Sequence, residues 1–213
     1  MGDEVATMLA AADGIPRAHV MLPPMEGVPP HISSYLRVAD VDAGLAAAIE
    51  SGGSMVVPPA DIPPGRFAGV ASPSGAVFLL FHEADEASAE NPGASNGAIH
   101  WVELHSTDLA TDVAWMESSF GIGHQKMQMP DAGDYFIFVD GETQVGGAMA
   151  AMSPEMPSAW MVWFQVDDVD ACADRIKGKG GQILSDVMDM EGIGRMYVAM
   201  DSTGAAFGII TPA

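Results

Sequence analysis

The chain repeats itself, and the repeat limits the folds open to it more than any other feature. Residues 33–82 read SSYLRVADVDAGLAAAIESGGSMVVPPADIPPGRFAGVASPSGAVFLLFH, and residues 161–213 read MVWFQVDDVDACADRIKGKGGQILSDVMDMEGIGRMYVAMDSTGAAFGIITPA. VADVDAG answers VDDVDAC, SGG answers KGG, PPGRF answers GIGRM, and SPSGAVF answers DSTGAAF, at nearly constant spacing. Each copy opens with a short apolar strand, Ser34–Val38 or Val162–Val166, that ends at an Asp-rich turn. Asp40 or Asp168 then caps a helix, with apolar positions at Val41, Leu45, Ala48 and Ile49, or at Val169, Cys172, Ala173 and Ile176. The pairs Gly52-Gly53 and Gly180-Gly181 stop the helices. Three strands follow in each, so the unit is βαβββ.

A third copy lies between these two. Ile99–His105 reads as a strand, Asp108 as a cap, and Leu109, Val113, Met116 and Phe120 as a helix stripe closed by Gly121. Strands are predicted at Tyr135–Asp140 and Gln144–Ala151, joined by the Asp140-Gly141 turn, and His124 falls in the loop after the helix. The segment EADEASAENPGASNG (83–97) has linker composition. GDEVATML (2–9) resembles GETQVGGAM (141–149), the last strand of a unit. The expected organisation is an incomplete domain at 1–85, a linker at 86–97 and a complete domain of two units at 98–213. Residues 1–82 then offer a half-barrel with no intrachain partner, an apolar face that predicts a homodimer.

The charge balance removes several function classes. Of 213 residues, 29 are acidic and 8 basic, a net charge of −21. That scarcity of Lys and Arg argues against nucleic acid, whose phosphates need clustered cations, and against anionic membranes. No apolar run reaches the roughly 20 residues of a membrane span. Cys172 is the one cysteine, placed on a core-facing helix position, and fits a reducing compartment, so the cytoplasm is expected.

The stretch WVELHSTDL, the FG ending the first helix, the DG hairpin, the tryptophan-rich strand leading into V-x-D-V-D-A, the Gly-Gly, the Gly-Arg and the D-x-x-G-A-x-F close together resemble one superfamily. It is the vicinal oxygen chelate group, which contains glyoxalase I, bleomycin-resistance proteins and extradiol dioxygenases. Within it the chain looks like the two-domain, glyoxalase-like branch typified by a mycobacterial antigen. The resemblance covers nearly the whole chain. It implies an α+β fold in which paired βαβββ units form open eight-stranded barrels, here one complete and one N-terminally incomplete. It also implies a cup-shaped pocket in which many members hold a metal that chelates two adjacent substrate oxygens.

Carried over residue by residue, the resemblance puts Trp101 and Met161 where relatives carry ligands, with Ser33 in the N-terminal copy. It puts Gly208, or Leu79, where relatives carry the last acid. The remaining ligand strand reads QVGGAMAAM. Trp, Met and Gly cannot build an N/O site, so no metal is expected. Alternation places Trp101, Glu103 and His105 on one strand face with His100 on the other. The expected cup wall is Trp101, Glu103, His105, Met161, Trp163, Gln165 and Gly208, with Tyr35 and Arg37 in the N-terminal copy. The glycines Gly146, Gly147 and Gly208 point to an open cavity, because they remove side chains from barrel strands. Three functions compete: a metal-independent binder of a small organic molecule, a lyase or isomerase resembling lactoylglutathione lyase with Glu103 as catalytic base, and a non-catalytic dimeric assembly domain.

Overall fold

Asp40, Asp108 and Asp168 each open a helix, as their motifs predict. In the computed structural model, which describes residues 7–10, 16–20, 27–63, 65–84, 95–129 and 133–213, all three carboxylates serve as N-caps. Asp40 accepts from the backbone N–H of Ala43 at 2.9 Å, and Asp168 from those of Asp170 and Ala171 at 2.9 and 3.0 Å. These bonds satisfy donors that a helix start leaves orphaned.

Around these helices the element order is β1 (Thr7–Ala10), β2 (Pro16–Val20), β3 (Tyr35–Arg37), α1 (Val41–Glu50), β4 (Ser54–Ile62), β5 (Gly65–Ala71) and β6 (Val77–Glu83). Then come β7 (Ile99–Ser106), α2 (Leu109–Phe120), β8 (Gly123–Met129), β9 (Gly133–Asp140) and β10 (Thr143–Ala150). The chain closes with β11 (Ala159–Gln165), α3 (Val169–Gly178), β12 (Gln182–Ile183), β13 (Met188–Met190), β14 (Gly194–Met200) and β15 (Ala206–Pro212). The first two strand–helix–strand sets keep the βαβββ order. In the third, the strand after the helix is broken into the short β12 and β13.

The class is mixed α+β, with larger sheets of four and nine strands beside the β1–β2 pair, neither closed into a barrel among the described residues. One complete and one incomplete open barrel were expected; the α+β class stands, and the described strands form open sheets. By contacts the chain divides into two units, one of Met1–Ile32, Asn91–His100 and Val162–Ala213, the other of Ser33–Glu90 and Trp101–Met161. Most of the predicted linker, through residue 94, lies outside the described residues, as do residues 2–6 of the predicted N-terminal strand.

The unit of Ser33–Glu90 and Trp101–Met161 holds two sheet segments, ordered β3-β6-β5-β4 and β7-β10-β9-β8. Its core joins Val41, Leu45 and Ala48 of α1 to Val113, Trp115 and Met116 of α2, with Phe78, Leu80, Leu104 and Phe138 beneath. Trp115 anchors it at 2 % exposure, its indole N–H donating to the carbonyl of Ala48 at 2.9 Å. Phe78 meets Trp115, Phe120 and Trp160 edge-on, with ring centroids 5.9, 5.8 and 5.5 Å apart. Ile49, expected in the stripe, is instead 47 % exposed, because Ala48 already fills the inward position next to it.

In the other unit, β11, β15, β14 and β12 lie in that order, and α3 packs on them. Val166, Val169, Cys172, Tyr197, Ala199 and Ile209 form its core, and Cys172 is a free, buried thiol. The motif arginines do the same work in each unit. Arg66 bonds Asp42 of α1 and Asp61 of β4, and Arg195 bonds Asp170 of α3 and Asp189 of β13. Held by hydrogen bonds from these arginines, Asp42 titrates below the usual carboxylate range. The DSTGA close is a turn centred on Asp201, whose Oδ1 accepts from the N–H groups of Thr203, Gly204 and Ala205.

Candidate functional site

Strand β7 delivers the site through simple alternation. Trp101, Glu103 and His105 share one face, whereas Ile99 and His100, at the strand's start, are exposed. Glu103 and His105 are buried, at 8 % and 7 % exposure. His105 Nε2 lies 2.7 Å from Glu103 Oε1. The second carboxylate oxygen, Oε2, accepts from the Tyr135 hydroxyl at 2.7 Å, and that hydroxyl accepts from the Trp101 indole N–H at 2.9 Å. The result is one hydrogen-bonded chain, Trp101–Tyr135–Glu103–His105, in which a buried carboxylate has a donor on each oxygen. Such a network is tolerable in a protein interior because its members are satisfied by one another. Burial pushes the Tyr135 hydroxyl pKa far above its ordinary value, and the negative Glu103 beside it pushes the same way. Tyr135 therefore keeps its proton and gives it to Glu103 as a hydrogen bond.

Tyr135 was legible in the sequence only as the start of a strand. Its route to Glu103 depends on Gly147. In the register of the sheet, Gly147 of β10 pairs with Glu103 of β7 on one side and with Ile137 of β9 on the other. A Cβ at Gly147 would collide with the Tyr135 hydroxyl and sit 2.9 Å from Trp101 Nε1. At Gly146 a Cβ would meet the Val102 carbonyl at 2.8 Å. Gly208 is similar: it pairs with Trp163, whose indole lies over it, so a Cβ there would fall 2.8 Å from Cε2 and closer to two other ring atoms. Gly147 and Gly208 thus make room for aromatic side chains and Gly146 for the backbone of β7, and the expectation that they open a cavity is corrected.

The remaining predicted wall residues separate. Met161 and Gln165 are half-buried on β11, where the backbone of Gln165 bonds Gly97 and Ala98 at 2.8 Å in each direction. The Trp163 indole N–H is buried without an acceptor among the described residues. Tyr35 is 57 % exposed and touches Phe81 edge-on, while Arg37 forms an ion pair with Glu83. His124 stands on β8, not in a loop, 3.4 Å from Glu117. Two hollows in this unit lie away from the Glu103 network. One of about 470 Å³ is lined by Leu36, Arg37, Ala43, Gly44, Phe120 and Val145, and another of about 540 Å³ by Ile62, Arg66 and His82 among others.

A second buried carboxylate was missed entirely. Asp112 of α2 is 0 % exposed, and it accepts from the Ser74 N–H at 3.2 Å, the Ser74 hydroxyl and the Ser106 hydroxyl at 2.6 Å. Ser158 extends this cluster to Ser74 at 2.7 Å and to the Thr107 N–H at 2.9 Å. It ties the β5–β6 turn to the start of α2. The sequence signal, SPSG opposite T-D-L-A-T-D, has no meaning until the two meet in space.

Does this arrangement fit the metal that the resemblance implies? Trp101 offers an indole N–H that is already donated, Met161 a thioether, and Gly147 and Gly208 no side chain with aromatic rings in its place. Among the described residues no group of three or more His, Cys, Asp or Glu side chains converges to hold an ion. The donor set does not fit a divalent centre.

No family model matches the sequence. The chain is 31 % identical over 213 residues to the Mycobacterium tuberculosis (strain CDC 1551 / Oshkosh) protein CFP32, which carries glyoxylase as its name; the match spans all of this chain and 78 % of that one. It is 32 % identical over 127 residues to the anthracycline biosynthesis protein DnrV of Streptomyces peucetius, 53 % of this chain and 46 % of the other. Among solved structures, a 2,3-dioxygenase, LapB from Pseudomonas sp. KL28, aligns with a TM-score of 0.58 at 15 % identity, over 84 % of this chain and 70 % of that one. The Mn(II)-bound glyoxalase from Novosphingobium aromaticivorans aligns at 0.55 and 18 % identity, over 83 % and 61 %. The repeated βαβββ order, the motifs that build it and the full-length likeness to CFP32 place this chain in the vicinal oxygen chelate superfamily, the glyoxalase and extradiol dioxygenase group.

Proposed function

We propose that this protein is a metal-independent, glyoxalase-like binder of a small organic molecule, engaged through the Trp101–Tyr135–Glu103–His105 chain. The observation that carries this reading is the buried Glu103 carboxylate, held by donors on both oxygens. Networks of this kind, desolvated and containing a titratable pair, are concentrated at functional sites. Met161 belongs to the same proposal; Trp163, Gln165 and Gly208 are a separate candidate wall within the other unit, and Tyr35 and Arg37 the N-terminal counterpart. The relatives suggest what to try: an α-oxo-aldehyde–thiol adduct, after the glyoxylase name, and an anthracycline.

A thermal-shift panel containing both probes tests this. A compound at one hundred times its Kd adds about 2.7 kcal/mol, a shift of several degrees, and Glu103→Gln is expected to reduce that shift. A panel without a stabilising compound would defeat the reading. Turnover of the adduct that Glu103→Gln abolishes would favour the lyase or isomerase alternative. The side chains that fill the space over Gly147 and, within the other unit, over Gly208 favour a second reading, a non-catalytic assembly domain.

We infer further that the three βαβββ sets arose by duplication, and that 1–85, 86–97 and 98–213 are incomplete domain, linker and complete domain. Among the described residues no helix is long and apolar enough to cross a membrane. The single cysteine, Cys172, supports a reducing compartment, and the cytoplasm is the one we propose. A homodimer is expected, because Tyr35, Met55, Val56, Ile62 and Val77 of the four-stranded sheet are exposed. Light scattering should give twice the chain mass at micromolar concentration; a monodisperse monomer would refute it.

A further inference from the structure

Within the Glu103–His105 pair, the two side chains are not equivalent. Each oxygen of Glu103 already accepts a hydrogen bond, from His105 Nε2 at 2.7 Å and from the Tyr135 hydroxyl at 2.7 Å. The Tyr135 hydroxyl has one proton, and because it accepts from Trp101 that proton is directed at Glu103. A carboxylate so engaged keeps spare lone pairs, but a proton taken from anything else would weaken the two bonds that hold it in place. His105 is different. With its Nε2–H given to Glu103, the ring is fixed in one tautomer, and the lone pair is left on Nδ1. That residue is 7 % exposed; among the described residues Nδ1 takes part in no hydrogen bond, and it is not one of the sealed, unpartnered polar atoms, so it stays accessible.

We propose that His105, and not Glu103, is the residue that exchanges a proton with the bound molecule, acting through Nδ1, while Glu103 is its positioning residue. This inference rests on the binding function proposed above. Nδ1 takes a proton from an acidic C–H or O–H of the ligand, such as a C–H beside a carbonyl. The ring becomes an imidazolium, whose charge the Glu103 carboxylate stabilises across the short bond, and Nδ1 later returns the proton to the ligand. No proton or electron is gained or lost over the cycle. A buried acid behind a histidine fixes its orientation and tautomer in the same way in hydrolytic triads. Tyr135 and Trp101 form the outer layer, holding Glu103 in the plane that the imidazole needs.

The sequence offered His105 only as part of the cup wall and gave the role of base to Glu103. What changes the assignment is the pairing of that ring with a carboxylate whose other oxygen is already taken by Tyr135.

Nitrogen-15 NMR of the intact protein at neutral pH tests this directly. The expected result is one histidine ring, absent from the spectrum of His105→Gln, protonated on Nε2 and carrying a pyridine-type Nδ1. Glu103→Gln should remove that tautomer preference, a signature that a purely structural carboxylate would not move. A small electrophile, bromopyruvate, should alkylate His105 at Nδ1, and Glu103→Gln should slow this by about tenfold. A doubly protonated ring, an Nδ1–H tautomer, or alkylation indifferent to Glu103 would overturn the proposal. These outcomes separate from the binding question. Ligands found with a doubly protonated His105 defeat the proton-transfer role alone, and a reactive His105 with no stabilising ligand defeats the binding function alone. Should His105→Gln fail to fold, His105→Asn supplies the same assignment of the wild-type resonance, so a misfolded variant does not rescue the idea.

Discussion

Asp112→Ala is expected to lower the unfolding free energy by about 3–5 kcal/mol, among the largest effects of any single change in this chain. The carboxylate is fully buried at the first turn of α2 and receives the Ser74 N–H, the Ser74 hydroxyl and the Ser106 hydroxyl. Deleting it leaves three donors facing a void, and each buried donor without an acceptor costs about 1–3 kcal/mol before relaxation. Asp112→Asn should be much milder, about 1–2 kcal/mol, because the hydroxyls of Ser74 and Ser106 can rotate to accept from the new amide. Urea unfolding of the two variants checks this. Equal losses would mean that charge, not hydrogen-bond satisfaction, holds the turn between β5 and β6 to α2.

Gly208→Glu restores the acid that relatives carry on the last strand, and it should damage the protein without giving it a metal. A Cβ at 208 would lie inside the Trp163 indole, a rigid ring that has no room to retreat among its buried neighbours. Overpacking of this kind costs about 1–3 kcal/mol when the surroundings yield, and more when the obstacle is stiff; an added carboxylate raises the cost. A loss of about 3 kcal/mol or more is therefore expected by the same denaturant measurement. Wild-type stability in Gly208→Glu would show that Trp163 moves easily and that the position is open.

Much of the fold could be read from local chemistry. Asp40, Asp108 and Asp168 announce their helices because an N-cap is a local contract between one side chain and the next few amides. Gly121, with φ of 70°, ends α2 as predicted because that left-handed conformation strains any residue with a Cβ. Alternation was enough to put Trp101, Glu103 and His105 together. Strand β8 was missed, and His124 with it, because GHQKMQM lacks an apolar alternation: most of its side chains face solvent. Trp115 was passed over because Val113 and Met116 already satisfied the helical period; its burial comes from α1, which lies across it.

The site was half legible. Glu103 and His105 were visible as candidates, but Tyr135 was not, since its reach across Gly147 follows from strand register. Glycine in a strand has two readings, an empty space or a space that something else fills, and the sequence does not choose between them. Here the fillers are Tyr135, Trp101 and Trp163. The Asp112 cluster was invisible for the same reason, as its members lie on β7, α2 and two separate turns.

Calorimetric titration of the wild-type protein with Mn(II), Ni(II) and Zn(II), repeated on Glu103→Gln, asks most directly whether a hydrogen-bonded chain has taken the place of the metal centre. If it has, no ion binds saturably at one per chain in a manner that depends on Glu103. One-to-one binding in the wild type that disappears in Glu103→Gln would contradict the account at its centre.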